Sequence, residues 1–405
     1  MGRYITGGFG EKHMTFIYVA DNGSDTNSGL TEATPIRTLN HATDIINGPG
    51  TGPYDVRLRR GDTFRGLPLS LRYSGTVAPY GTGPAPILNA DETWDRIIIQ
   101  AGAVHWTITG LKITTDWDGT GEYSPKGINI FAIQNGVTIS NCEIEKVCVG
   151  VVCTTGLAKN NVVIRQCHIH DVNRIGPYTE GGGIYAAAVD QLKIIGNRIE
   201  RVCLAEPSVY RHGIYISSGL DGGHCDGVEI IGNILDRCCA TGAQFRSGGI
   251  FKDNIVARTA TGISLGGGVV PDEGGVVCII EDNIFIEGND ISPSLPRGWW
   301  LSMSNMHDSS IRRNIIAHCD GHFPVFMGNG VLPITDTVIA ENKVYNWPLH
   351  NVWDGSEHNP IPDGITWDGN VQGEFVAPQR RYSDQEWTGV RAALRYIRAG
   401  FELLP

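Results

Sequence analysis

Residues 233–256 read NILDRCCATGAQFRSGGIFKDNIV, and this stretch decides the fold. It opens on Asn233-Ile-Leu235 and reaches the same kind of triplet, Asn254-Ile-Val256, 21 residues later. Between the two lies Gly242-Ala-Gln244-Phe245, a glycine followed by an apolar, a variable and another apolar residue. Outward from here the triplet recurs as Cys142-Glu-Ile144, Cys167-His-Ile169, Asn197-Arg-Ile199, Asn283-Ile-Phe285, Asn314-Ile-Ile316, Asn342-Lys-Val344 and Asn370-Val371. Leu111-Lys-Ile113 is a degenerate first copy, and the steps run from 21 to 36 residues. A period of this length in glycine-rich, β-rich sequence marks a solenoid of stacked coils.

The glycine segment repeats in phase with the triplet. It appears as Gly127-Ile-Asn129-Ile130, Gly150-Val-Val152, Gly183-Ile-Tyr185-Ala186, Gly213-Ile-Tyr215-Ile216, Gly262-Ile-Ser264-Leu265 and Gly298-Trp299-Trp300-Leu301. Side chains alternate along a strand, so the residue after glycine faces the core and the next one faces out. Rungs about 4.8 Å apart stack these outward residues in a column, and nine steps give a region roughly 43 Å long. The column predicts Tyr185 one rung below Tyr215 and Gln244 one rung above it.

Composition agrees with a turn-rich solenoid: 53 glycines and only 19% charged residues leave little material for long surface helices. A net charge of −11 argues against a nucleic-acid partner. No apolar run is long enough to span a membrane as a helix, and the first 15 residues lack the apolar segment of a secretory leader. The expectation is a removed leader, or export by another route such as inside a phage particle. The ten cysteines do not read as a disulfide framework: Cys142 and Cys167 stand where later copies have Asn, and Cys148, Cys203, Cys239 and Cys319 fall a few residues after their copies' aliphatic positions. Most are expected to be free thiols buried between coils. The seven Asn residues of the triplets, Asn197 to Asn370, read as structural, bonding the turn backbone and one another up the stack.

The organisation expected is an N-terminal segment and cap over 1–90, a repeat domain over 91–375 and a C-terminal cap helix over 376–405. Residues 38–46 carry helical apolar spacing at Leu39, Ala42, Ile45 and Ile46. Ser383 and Glu386 form a capping-box pair ahead of the last helix. A solenoid end exposes core and strand edges, so a helix at each end is a physical need. The polar run 21–27 lacks the closing Glu of an EF-hand loop and reads as a plain turn.

The opening "YVADNGSDTNSG…TPIRTLNHA…LRRGDTFRG" (residues 18–66) resembles the start of right-handed parallel β-helix proteins, and the likeness runs through the repeats to about residue 375. That group includes polysaccharide lyases, glycoside hydrolases, sugar epimerases and phage tailspikes. The resemblance implies an all-β, right-handed parallel β-helix of about ten rungs with helical caps. It also implies a polysaccharide as partner, and a trimer if the chain is tailspike-like.

Two chemistries fit the residue types on the outward column. Elimination from a uronic acid needs a base for the proton next to the carboxyl, a cation for the enolate charge and an acid for the leaving oxygen. His212, Tyr215, Arg211 and Arg246 supply these, with Tyr185, Lys126, Asn129, Tyr210, Gln244 and Trp300 as substrate contacts. No cofactor is required by this set, and the lyases it resembles often use Ca2+ as the neutralising cation. Alternation does not put His212 and Tyr215 ideally on one face, so His212 is expected at the bend where its strand begins. Hydrolysis instead needs two carboxyl groups, for which Glu180, Glu206, Asp221, Asp226, Asp272 and Glu273 in the flanking loops are candidates. The carboxylate set of polygalacturonase-like β-helices is not present. The plainer readings are a tyrosine stacking platform, a turn histidine, solvated arginines and acids that favour turns. A third function, from a different class, is a phage tail component that binds glycan without cutting it.

Overall fold

The computed structural model describes residues 14–50, 52–90, 95–118, 124–133, 135–153, 159–172, 181–203, 208–217, 224–266, 275–295, 297–317, 325–327, 332–345 and 363–372. Within these the chain winds through three stacked sheets, and every strand pair among the described residues is parallel. The first sheet has 13 strands, from Thr15–Val19 to Ile365–Asp368; the second has 12, from Thr63–Phe64 to Val371–Gln372; the third has 10, from Leu69–Leu71 to Val325–Met327. One coil runs Val137–Ser140 in the first sheet, Glu143–Glu145 in the second and Val149–Cys153 in the third, then returns to the first at Val162–Arg165. The strands before residue 90 join the same sheets, so the N-terminal segment contributes coils as well as a cap.

The turn from first to second sheet is the tightest. One residue adopts the left-handed region, as at Asn141 (φ 52°), Gly232 (φ 67°) and Asp282 (φ 58°), and the polar residue of the triplet follows. The Asn side chains form a continuous ladder. The backbone N–H of Asn197 donates to Asn233 Oδ1 (2.9 Å), that of Asn233 to Asn254 (2.8 Å), that of Asn254 to Asn283 (2.9 Å), and the pattern continues through Asn314 and Asn342 to Asn370. Each Asn Nδ2 also donates to a main-chain carbonyl of the first sheet, as Asn254 does to Ile230 (2.8 Å). Buried amides survive in an apolar interior because every partner is present. Cys142 and Cys167 extend the same column downward, each thiol donating to a carbonyl two residues back at 3.3 Å. The nine cysteines within the described residues are free and buried, as their phase predicted.

Inward residues of all three sheets make one apolar core, with Ile144, Ile169, Ile199, Leu235, Val256, Phe285 and Ile316 forming one of its columns. The predicted first helix spans Leu39–Asn47 with Thr38 as N-cap, its hydroxyl accepting from His41 N–H. It buries Leu39, Ala42 and Ile46 and binds the lowest strand of the third sheet through Thr43 and Asn47, so it does cap that edge. Asp25 of the polar turn accepts from the Arg37 and Thr38 backbone and from the Thr38 hydroxyl, which gives that turn a structural use. The expected C-terminal helix lies outside the described residues.

Candidate functional site

The glycine segments are the third sheet. Pairing aligns Asn129, Val152, Tyr185, Tyr215, Gln244, Ser264 and Ser302 as one outward column. In the sequence, the longest connections of each coil precede and follow these strands.

The densest part of this outer face is aromatic. Tyr185 and Tyr215 stack with centroids 5.2 Å apart and planes 16° from parallel. His212 stacks on Tyr215 at 5.4 Å and 17°, and the Arg246 guanidinium carbon lies 5.2 Å from the Tyr215 ring centre. His212 and Tyr215 share a face because the strand departs from simple alternation at Gly213. A Cβ built on Gly213 would lie 2.6 Å from Cys238 Sγ and from Gly242 O, so this position points into the core together with Ile214. The same holds up the column at Gly127, Gly150, Gly183, Gly242 and Gly262, each of which would strike a core side chain and the backbone of the next coil. Glycine is required there by close approach of the sheets.

Electrostatics separate the roles. Burial, with the Arg246 charge second, pushes the His212 pKa down to about 3. Burial thus favours the neutral imidazole, and Tyr215 is the more exposed of the two candidate acid–base groups. Arg246 is half-buried beside Tyr215.

Other expected site residues are distributed differently. Trp300 is buried (2% exposed), because the last copy is offset by two residues: Trp300 takes the glycine position opposite Gly262, packs on Phe285 and leaves Ser302 as the outward residue. Its neighbour Trp299 is the half-exposed member of the pair, with Arg297 over its ring at 4.7 Å. Asn129 is on the column but buried, its amide donating to Asp95 at 2.7 Å. Lys126 is half-buried at the start of the same strand, and its backbone N–H donates to Asp95. Arg211 is buried beside Cys239, whose thiol feels its charge, rather than exposed to a ligand. Tyr210 is 60% exposed. Gln244 is half-buried directly above Tyr215. Glu180, Glu206, Asp221, Asp272 and Glu273 lie outside the described residues, and Asp226 is exposed beside His224.

A second polar face went unnoticed in the sequence. Outward positions of the second sheet bring together Lys112, Glu143, Glu145, His168, His170, Arg198 and Glu200. The signal was there in the alternating charged residues of Glu143-x-Glu145, His168-x-His170 and Arg198-x-Glu200. Burial would raise the Glu200 carboxyl, but His168, Arg198 and Arg201 outweigh it and hold it well below the ordinary range. Arg201 first, and then His170, hold Asp171 down to about 2. Glu143, Glu145 and His170 are the one set of three or more metal-ligating groups among the described residues. Their place is already taken by an ammonium, since Lys112 Nζ lies 2.7 Å from Glu143 and 3.1 Å from Glu145. Around Tyr215 the described outward residues are tyrosine, imidazole, amide, hydroxyl and guanidinium. That donor set does not suit Ca2+, which takes carboxylate and carbonyl oxygens, so no step is assigned to Ca2+.

Comparison with known proteins bears on the fold. The family model described as right handed beta helix region matches residues 96–270. A search of curated proteins finds no match. Among solved structures, a tailspike protein of E. coli bacteriophage HK620, in complex with a pentasaccharide, superposes with TM-score 0.61 at 12% identity over 86% of this chain and 66% of its own. The GH136 lacto-N-biosidase of Eubacterium ramulus gives 0.55 at 13% identity over 88% of this chain and 67% of its own. An alginate lyase of Paenibacillus sp. str. FPU-7 is looser, at 0.48 and 18% identity over 81% of this chain and 97% of its own. This chain thus spans about two thirds of the length of the first two. Parallel sheets stacked coil on coil, a middle section that matches this family model and an architecture shared with the tailspike and the lacto-N-biosidase identify the chain as a right-handed parallel β-helix protein.

Proposed function

We propose that the protein degrades a polysaccharide containing uronic acid, by β-elimination on the outer face of the third sheet. The observation that carries this reading is the stacked face of Tyr185, Tyr215 and His212 with the Arg246 guanidinium over Tyr215. Aromatic planes suit the apolar faces of sugar rings, and a guanidinium beside them suits a carboxylate. The tailspike bound to a pentasaccharide and the lacto-N-biosidase are carbohydrate-active proteins on the same fold, which supports glycan as the ligand class. Fold likeness alone does not select the chemistry; the phenol and guanidinium at Tyr215 support elimination.

In the proposed step Tyr215, as its phenolate, takes the proton from the uronate carbon next to the carboxylate. The electron pair of that C–H bond forms the new C=C bond, and the bond from the adjacent ring carbon to the glycosidic oxygen breaks. The leaving oxygen takes back the proton from the Tyr215 hydroxyl. Arg246 neutralises the carboxylate as enolate charge develops. His212, neutral and stacked, fixes the plane of Tyr215. Gln244 and Tyr185 hold the sugars on either side.

The test is incubation with a panel of acidic and neutral polysaccharides, following absorbance of unsaturated uronate and new reducing ends together. Both signals rising together on an acidic glycan is the expected result. Reducing ends without absorbance would overturn elimination and transfer the chemistry to the loop carboxylates Glu180 and Glu206. Binding with no release would overturn catalysis in favour of a glycan-binding tail component.

A further inference from the structure

We propose that Trp117 walls off the lower end of the outward column, so that the protein takes a glycan by its terminus rather than along its length. This deepens the reading above and rests on a glycan lying along the outward column.

The column changes character between two neighbouring rungs. Asn129 and Val152 face out from the solenoid yet are buried at 3% and 4%, as is Val149 at the start of the Val152 strand at 5%. From Tyr185 upward, Tyr215, Gln244, Ser264 and Ser302 are all partly exposed. The cover is apolar and local. Trp117, Cys148, Val149 and Val152 form a cluster separate from the main core, and Tyr185 packs against its upper side. Trp117 belongs to the connection between Lys112–Thr115 of the second sheet and Lys126–Ile130 of the third. Its backbone N–H donates to the Thr115 hydroxyl (3.2 Å), which itself donates to the Lys146 carbonyl of the coil above. The connection is thus fastened where its indole reaches the coil above and covers the outward valines.

An extended glycan descending from Ser302 past Ser264 and Gln244 therefore meets a ridge just beyond Tyr185. Rungs are about 4.8 Å apart, close to the length of one sugar unit. Tyr215 is one rung above the last open position. Room for one sugar, on the Tyr185 ring, remains between the reacting bond and the wall. Short products of one or two residues follow from that spacing, with Tyr185 stacking on the terminal ring and the upper amide and hydroxyls bonding the rest of the chain.

The experiment measures product sizes over time on the cleaved polysaccharide, and binding of oligosaccharides that have both ends free or a bulky group on one end or the other. We expect one- and two-residue products from the first time points, slow loss of viscosity, and at least a tenfold loss of binding when one particular end is blocked. Trp117→Ala should release longer products early and tolerate the blocked end, while Trp117→Phe should keep the wild-type pattern. Early long oligosaccharides from the wild type, or equal binding of free and blocked ends, would overturn the wall. So would a folded Trp117→Ala with an unchanged pattern. If Trp117→Ala does not fold, the blocked-end comparison on the wild type decides alone. The chemistry of the new ends is read separately by absorbance, so a terminal-acting protein that gives no unsaturated product would sink elimination and leave the wall standing.

Discussion

His212 and Tyr215 stack 5.4 Å apart on the outer face of one strand although they stand three positions apart. Strict alternation would set them on opposite faces. The backbone at Gly213 reconciles them by facing the core between them. A site that brings an imidazole, a phenol and a guanidinium together thus depends on a residue with no side chain.

Replacing Gly213 with alanine should therefore cost more than an ordinary surface change. The new methyl would meet both Cys238 Sγ and the Gly242 carbonyl at 2.6 Å. Overpacking of this kind costs about 1–3 kcal/mol. Thermal and denaturant unfolding should show the loss, and adding Cys238→Ala should recover only part of it because the carbonyl contact persists.

Tyr215→Phe keeps the stacked ring and removes the hydroxyl. Catalysis should fall about 10²–10⁴-fold, the usual range for a lost acid–base group, with KM changed only a few-fold. Steady-state kinetics on the cleaved glycan check this, and a Tyr215→Phe protein within tenfold of wild-type kcat would remove Tyr215 from the chemistry.

The pH behaviour of His212 has a definite sign. Its pKa falls from an ordinary 6.5 to about 3 in the folded protein. Below pH 6.5 the unfolded chain gains a proton that the folded chain refuses, so stability drops as pH falls from 6.5 toward 3. His212→Gln should flatten the melting temperature between pH 6.5 and 5, where few carboxyl groups titrate. An unchanged slope in that window would contradict the burial of a neutral imidazole.

Glu200 acts at lower pH. Its carboxyl is held below its ordinary value of 4.5 by His168, Arg198 and Arg201 despite burial. This stabilisation is complete above the ordinary value and is lost as pH falls below it. Glu200→Gln should lower stability at pH 7 and weaken the acid dependence below pH 4.5, as read by melting curves across pH.

The ladder offers the sharpest stability contrast. Asn254→Ala leaves the buried partners at Asn233, Ile230 and Asn283 short of hydrogen bonds. At about 1–3 kcal/mol for each buried group left unsatisfied, the variant should be severely destabilised. Asn254→Cys should be milder, since Cys142 and Cys167 already occupy equivalent places with their thiols bonded to carbonyls. Urea unfolding of the pair distinguishes the two.

The repeat made the architecture readable, because each Asn triplet and each glycine marks a backbone position with one physical solution. Tyr185, Tyr215 and Gln244 were placed by the same phase. Trp300 lies elsewhere than its phase suggests, since the last copy carries a bulky ring where earlier copies have glycine, and the two-residue offset sets it at the core-facing glycine position. Trp117 gave no signal, as it lies in a connection without periodicity and its partners are three coils' worth of non-local geometry. The charged face of the second sheet was visible only as pairs two residues apart, and their meaning appears once strands stack.

The turn between first and second sheets is held to a single left-handed residue by the Asn column, so coils cannot vary in length there. Insertions and deletions must fall in the connections on either side of the third sheet, as the difference between the 21-residue step after Asn233 and the 36-residue step before it shows. The molecule is therefore modular along its axis: a whole coil cut at its Asn can be duplicated or removed without breaking register, lengthening or shortening the outward column of the third sheet by one step.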